Sequence, residues 1–227
     1  MQGTGTEADP YIITTAQELQ EMKNDITAYY ELGNDIDMSG FSWSTIQNFE
    51  GVLDGKGNEI LNLEINDIDF ISNQKGTIQN VCFSNVSAKG SIVGGLCYRN
   101  YGTIQNFSIK DAEINADSDV AGVCFDNNNI IKNCYFQGTL TAINGWSRLN
   151  GISTWNEGTI KKCYTVIEFP EVIIEQKPNG IHYLNDSQIT DCYYNVDYVA
   201  EGGAGTALTT EEMKDQSSYE NWDFEDT

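Results

Sequence analysis

One histidine, six cysteines and 34 carboxylates are the groups from which this chain would have to build a reactive centre. His182 has no serine or cysteine partner at a recognisable spacing, so a Ser-His-Asp or Cys-His arrangement cannot be placed around it. It falls one residue after Ile181, at a position that other copies of the internal repeat fill with Ile71, Cys97, Cys124 and Ser153, and it reads as a strand residue. Tetrahedral zinc has no support without a Cys-x-x-Cys pair or a second histidine. A P-loop and a dinucleotide fingerprint are absent, and Gly202-Gly203-Ala204-Gly205 opens no strand-to-helix unit and reads as a linker. Carboxylate pairs remain: Asp35 with Asp37, Asp67 with Asp69, and Asp117 with Asp119. Two acids across a groove are the machinery of glycoside hydrolysis. Among so many acids, however, such pairs arise by chance, and all three lie near turns, where Asp is favoured for backbone reasons. Calcium would draw on Asp and Asn oxygens in turns, yet no Asp-x-Asp-x-Asp-Gly loop appears and no ligands are assigned. The chain is therefore read as non-enzymatic, with no cofactor and no metal.

Aromatic residues recur with a period, and the period is that of the whole chain. Gly76-Thr77-Ile78-Gln79-Asn80-Val81 aligns with Gly102-Thr103-Ile104-Gln105-Asn106-Phe107, then with the segments centred on Ile131, Ile160 and Ile189. The isoleucines are separated by 26, 27, 29 and 29 residues. Eight residues before each stands another apolar residue, namely Phe70, Leu96, Val123, Ile152 and Ile181, preceded by Gly in every copy but the first, where Asp69 takes its place. Constant spacing across one corner with drift elsewhere is the mark of a solenoid, in which turns tolerate insertions and stacked strands do not. Each copy shows short strands with period-two alternation and no room for a ten-residue helix. If each isoleucine and the residue three beyond it face inward, the next residue faces out, which places Tyr135, Tyr164 and Tyr193 in one exposed ladder. Flat rings at rung spacing can take the faces of sugars. Trp146 and Trp155, in the longer loop of the fourth copy, are the next candidates for ligand contact.

These elements define an all-β chain: a right-handed parallel β-helix, or β-solenoid, with a short N-terminal capping helix. Thr15-Ala16-Gln17-Glu18 is a capping-box pattern opening an apolar-periodic stretch, and Thr209-Thr210-Glu211-Glu212 is a second such pattern. The expected division is a capping segment over 1–48, coils over 49–199, and a C-terminal linker or cap over 200–227 that reads as truncated. Phe49–Ile65 is read as an earlier, shorter coil in which Ile60 and Leu63 echo the repeat's Ile and plus-three positions. Asn80, Asn106 and Asn133 recur in register at a turn and predict an asparagine ladder, interrupted by Lys162 and Asp191. Cys134, Cys163 and Cys192 share the plus-three position, which favours buried thiols over disulfides.

With 34 acidic against 12 basic residues the net charge is −22, which repels phosphate backbones and excludes nucleic acid as a partner. No apolar stretch is long enough to insert in a membrane, and Met1–Thr6 carries no secretory signal pattern. Gly-Gly-Leu, eight residues, Ile, then Asn-Cys-Tyr is similar to the GLUG-type repeats of bacterial adhesin-like surface proteins. The opening Gly3–Ile13, the Asp54-Gly55-Lys56-Gly57 turn and the closing Trp222-Asp223-Phe224 resemble the same family, which includes tail and tail-fibre modules of phages. The second copy departs from the pattern with Phe107-Ser108, and the third with Asn129-Ile130. The resemblance implies a non-catalytic recognition, adhesion or structural module on a virion or cell surface. Its ligand would be a host-surface or matrix glycan, or a protein, bound along the side of the rod. The alternatives are a polysaccharide-degrading hydrolase or lyase on the same scaffold and an intracellular phage-encoded interaction protein.

Overall fold

A computed structural model describes residues 1–66, 69–143, 147–168, 179–182, 188–197, 199 and 203–224. Its strands are short, parallel, and bonded each to its equivalent one coil away, so that the chain stacks as a β-solenoid of about six turns. One wall consists of Ile71–Gln74, Cys97–Asn100, Cys124–Asn127 and Ser153–Asn156. The next carries the isoleucines: Ile78, Ile104, Ile131, Ile160 and Ile189 pair in register. The first four are fully buried, while Ile189, on the last of these strands, is only partly so. Leu96, Val123, Ile152 and Ile181 form the second apolar column, all buried, with the amide of each of the first three donating to the carbonyl of the next at 2.8 to 3.2 Å.

Between the isoleucine wall and the wall after it, the chain turns at one left-handed residue per coil. These are Asn80, Asn106, Asn133, Lys162 and Asp191, with φ between 48° and 53°. Asn and Asp tolerate this conformation better than other residues with a side chain. Just past the corner Cys134, Cys163 and Cys192 point inward, free and buried. Each thiol donates to the carbonyl two residues back, at 3.2 to 3.3 Å.

The glycines of the repeat are required by close approach: a Cβ at Gly95, Gly122 or Gly151 would stand 2.0 to 2.2 Å from the carbonyl oxygen of the glycine one coil on. Gly95, Gly122, Gly151 and Gly180 face Ile109, Phe136, Thr165 and Tyr194, and a Cβ at Gly122 would stand 2.5 Å from the Phe136 ring. Asp69 occupies the equivalent position in the first copy. Its carboxyl is largely buried and one oxygen has no hydrogen-bond partner, so burial pushes its pKa up to about 6, opposed only by the backbone amide of Gly94. A second polar column runs inside the rod: Gln74, Asn100 and Asn127 are fully buried and continue to Asn156. Asn100 donates to Asn127 at 2.8 Å and Asn127 to Asn156 at 2.7 Å.

One expectation shifts. Below Ile78 lies Leu53, not Ile60, which instead pairs with Phe83. Register in the shorter coil follows the backbone ladder, and the nearest apolar match to the repeat is one wall out of step. Within 1–48, Tyr11–Ile13 pairs in parallel with Tyr29–Leu32, which continues the ladder to Val52–Asp54. Beyond 199, Thr206–Leu208 adds a further strand on Tyr193–Asn195. The helix Ala16–Glu21 is capped as its sequence predicts: Thr15 Oγ1 accepts from the Glu18 amide at 3.2 Å. The helix and the 3-10 turn after it bury Leu19 and Met22 completely.

Truncating Ile131 to Ala leaves a cavity with an isoleucine rung on each side, and denaturant unfolding is expected to show a loss of about 2 to 5 kcal/mol. Asp69 gives a separate pH signature. Its folded pKa lies above the unfolded value, so the native state holds the proton more tightly, and stability falls as pH rises from about 4 through about 6. Asp69→Asn removes that component. The difference in unfolding free energy between variant and parent should therefore grow over this window and level off above it, and a difference independent of pH would contradict the assignment.

Candidate functional site

Tyr135, Tyr164 and Tyr193 stand in register on consecutive rungs, as their spacing requires. The first two rings stack at 4.2 Å between centroids and 24° between planes. Both are half-buried, and burial raises the pKa of both hydroxyls. Tyr193 is not exposed as expected; it retains only 4% of its surface. The C-terminal segment folds back over it: the Tyr193 hydroxyl accepts from the Glu220 amide at 2.7 Å, and Tyr219 meets its ring edge-on at 4.8 Å. Trp222 Nε1 donates to the Asp191 carbonyl at 2.9 Å, and Asn221 Nδ2 to the Asp191 carboxylate at 3.0 Å. Burial among these rings lifts the Tyr219 hydroxyl to about 12.

The returning segment turns a flat ladder into a groove of about 690 Å³. Tyr135 and Tyr164 line it on the rod, Trp222, Asp223 and Phe224 line it from the returning segment, and Asn106, Asn133 and Lys162 line it along the corner. The Trp222 and Tyr164 rings meet edge-to-face at 5.9 Å, and Trp222 stacks with Phe224 at 5.8 Å.

The corner residues form the expected ladder. Asn133 Nδ2 donates to Asn106 Oδ1 at 3.0 Å, Asn106 Nδ2 to Asn80 Oδ1 at 2.9 Å, and Asn80 Nδ2 to Asp54 Oδ1 at 3.0 Å. Alongside it, Gln105 donates to Gln79 at 2.6 Å and Gln79 to Asp54 Oδ2 at 2.9 Å. Burial pushes the Asp54 pKa upward, but donors from the Lys56 backbone, Asn80 and Gln79 outweigh it and hold the group below the usual carboxylate range. Asp54 is thus an ionised acceptor at the foot of both ladders.

Of the other candidates, Trp155 is 45% exposed but stands on a different wall, in register with Asp126, and does not line the groove. The Arg148 guanidinium covers one face of its ring at 4.2 Å. Trp146 lies outside the described residues, as does Asp67. His182 is buried, its Nδ1 2.9 Å from the Ser153 carbonyl. The paired acids serve the backbone or ion pairs: Asp35 accepts from the Glu59 amide, Asp37 from Ser39 and Asn62, and Asp119 holds Arg148. Among the described residues no group of three His, Cys, Asp or Glu side chains is placed to hold a metal. Trp222, Asp223, Phe224 and Lys162 are the site residues that the repeat did not reveal. Lys162 is visible in the sequence only as the exception in the asparagine column.

No family model matches the chain. In an alignment of 131 positions that takes in 48% of its length, the chain is 28% identical to a Gly-rich membrane protein of Evansella cellulosilytica, and the match covers 15% of that protein. In one of 150 positions that takes in 53% of its length, it is 32% identical to halomucin of Haloquadratum walsbyi, of which the match covers 2%. The chain thus spans only a small part of these curated relatives. A crystal structure described as an immunoglobulin A1 protease from Bacteroides ovatus aligns over 93% of this chain and 87% of its own, with a TM-score of 0.44 and 17% identity. No helix among the described residues is long and apolar enough to cross a membrane.

If the returning segment is what shields the ladder, Trp222→Ala will uncover Tyr164 and Tyr193. Nitration read by peptide mass spectrometry should then modify both faster than in the parent, with circular dichroism unchanged. Equal nitration rates would show that the segment does not cover the ladder in solution.

Proposed function

We propose that this chain is a non-catalytic recognition module, displayed on a virion or cell surface, that binds a glycan along the side of the rod. The observation that carries this reading is the composition of the groove. Tyr135 and Tyr164 on one side and Trp222 and Phe224 on the other offer apolar surface to sugar rings, while Asn133, Lys162 and Asp223 offer fixed acceptors and donors to their polar groups. Ligand sites combine mostly apolar walls with a few placed polar groups in this way. The net charge of −22 favours an uncharged glycan over a bare polyanion, and nucleic acid is no partner. The names of the relatives, a Gly-rich membrane protein and a halomucin, support a surface location, and the likeness to adhesin-like and phage-tail repeats points the same way.

A glycan array run beside a reducing-sugar release assay tests both halves of the proposal. The parent is expected to bind a restricted set of neutral glycans without releasing sugar. Removing both rings in Tyr135→Ala with Tyr164→Ala should weaken binding roughly tenfold or more, the scale of two lost aromatic contacts. Sugar release by the parent, or full binding by the folded double variant, would refute it.

A further inference from the structure

The corner ladder has a direction, and the direction is set at its foot. A carboxylate can only accept, so Asn80 must present its Nδ2 to Asp54 and turn its Oδ1 toward the next rung. Asn106 repeats this on Asn80, and Asn133 on Asn106. Asn133 cannot reverse, because its oxygen would then face the Asn106 oxygen. Its Oδ1 therefore emerges at the groove as an acceptor, and no described residue donates to it. The next rung would supply that donor if it were another asparagine; it is Lys162, whose ammonium makes no hydrogen bond or ion pair with a described residue. One rung further the column resumes, with Asn221 donating to Asp191. The ladder is broken at Lys162, and Lys162 and the Asn133 before it both line the groove.

We infer that this break is the specificity point of the groove and that it reads the acetamido group of an N-acetylated sugar, an inference that rests on the glycan reading above. The amide N–H of the ligand donates to Asn133 Oδ1, its carbonyl oxygen accepts from the Lys162 ammonium, and its methyl group packs against Trp222 and Phe224. A carboxylate at this point has no donor for Asn133 Oδ1 and meets Asp223 in the same groove. A pair of plain hydroxyls satisfies the two polar atoms but brings nothing to the aromatic wall. The acetamido group supplies donor, acceptor and apolar methyl together.

Calorimetric titration of the full chain with two trisaccharides tests the inference: β-1,4-linked N-acetylglucosamine and cellotriose, which differ at carbon 2 only in acetamido against hydroxyl. The parent should prefer the acetylated sugar by roughly threefold or more, the effect of burying its methyl group against the aromatic wall. Lys162→Asn should abolish the preference. Its side chain tolerates the left-handed corner at φ 50° and donates to Asn133 Oδ1, which closes the break. Asn133→Gly keeps that backbone and removes the acceptor, with the same expected loss; if either variant loses its β-sheet signal, the other decides. Equal binding of the two sugars by the parent would leave glycan recognition standing and overturn the acetamido assignment. Binding of neither would overturn both. A folded Lys162→Asn that keeps the preference would show that the break is not what reads the ligand.

Discussion

Every inward residue of this rod has its own equivalents as neighbours, one coil above and one below, at the spacing of hydrogen-bonded strands, ~4.8 Å. The rest of the structure follows from that constraint. Apolar side chains satisfy it by stacking as columns, of which the isoleucines and the Leu96 to Ile181 series are the examples. A charged side chain cannot, since its copies repel. A carboxamide can, because it carries both a donor and an acceptor and so pairs with another of its kind. The rod uses Asn in two such columns: the buried series ending at Asn156 and the solvent-facing left-handed corner from Asn80 to Asn133.

The same constraint makes each wall answer to the one facing it. A Cβ at Gly122 would meet the Gly151 carbonyl one coil on as well as the Phe136 ring across the core, and one at Gly180 would meet Tyr194. Where the first copy has Asp69 in that series, the cost is a largely buried carboxyl with an unpartnered oxygen.

What could be read from the sequence was what repeats. The invariant step of eight placed Leu96 and Ile104 correctly because that segment crosses a corner whose length the stacking forbids to vary. The coil containing Leu53 and Ile60 is shorter, so its apolar residues fall one wall out of step with the repeat. The inner series of Gln74, Asn100, Asn127 and Asn156 stands four residues before each isoleucine and was available to the same reasoning, yet polar residues near turn glycines look like turn residues until their burial is known. Tyr193 was placed on the right rung and face. Its cover comes from Tyr219 and Trp222, which belong to no repeat, and no periodicity in the chain foretells where a single returning segment will land.

That division bears on where recognition can reside. Identical rungs present identical surfaces, so a perfect solenoid would offer a polymer the same contact at every step and no preferred register. Discrimination has to come from departures: a lysine where the column calls for asparagine, and a C-terminal segment that crosses the ladder once. In this chain the two departures meet. Lys162 interrupts the corner beside Tyr164, and Trp222 lies against Tyr164 from the other side. Asp54, several rungs away, decides which atom the interrupted ladder presents there, because an acceptor-only group at the foot orients every amide above it. A repeat scaffold can in this way fix the polarity of a site from a distance without any moving part, through hydrogen bonds that have only one satisfactory order.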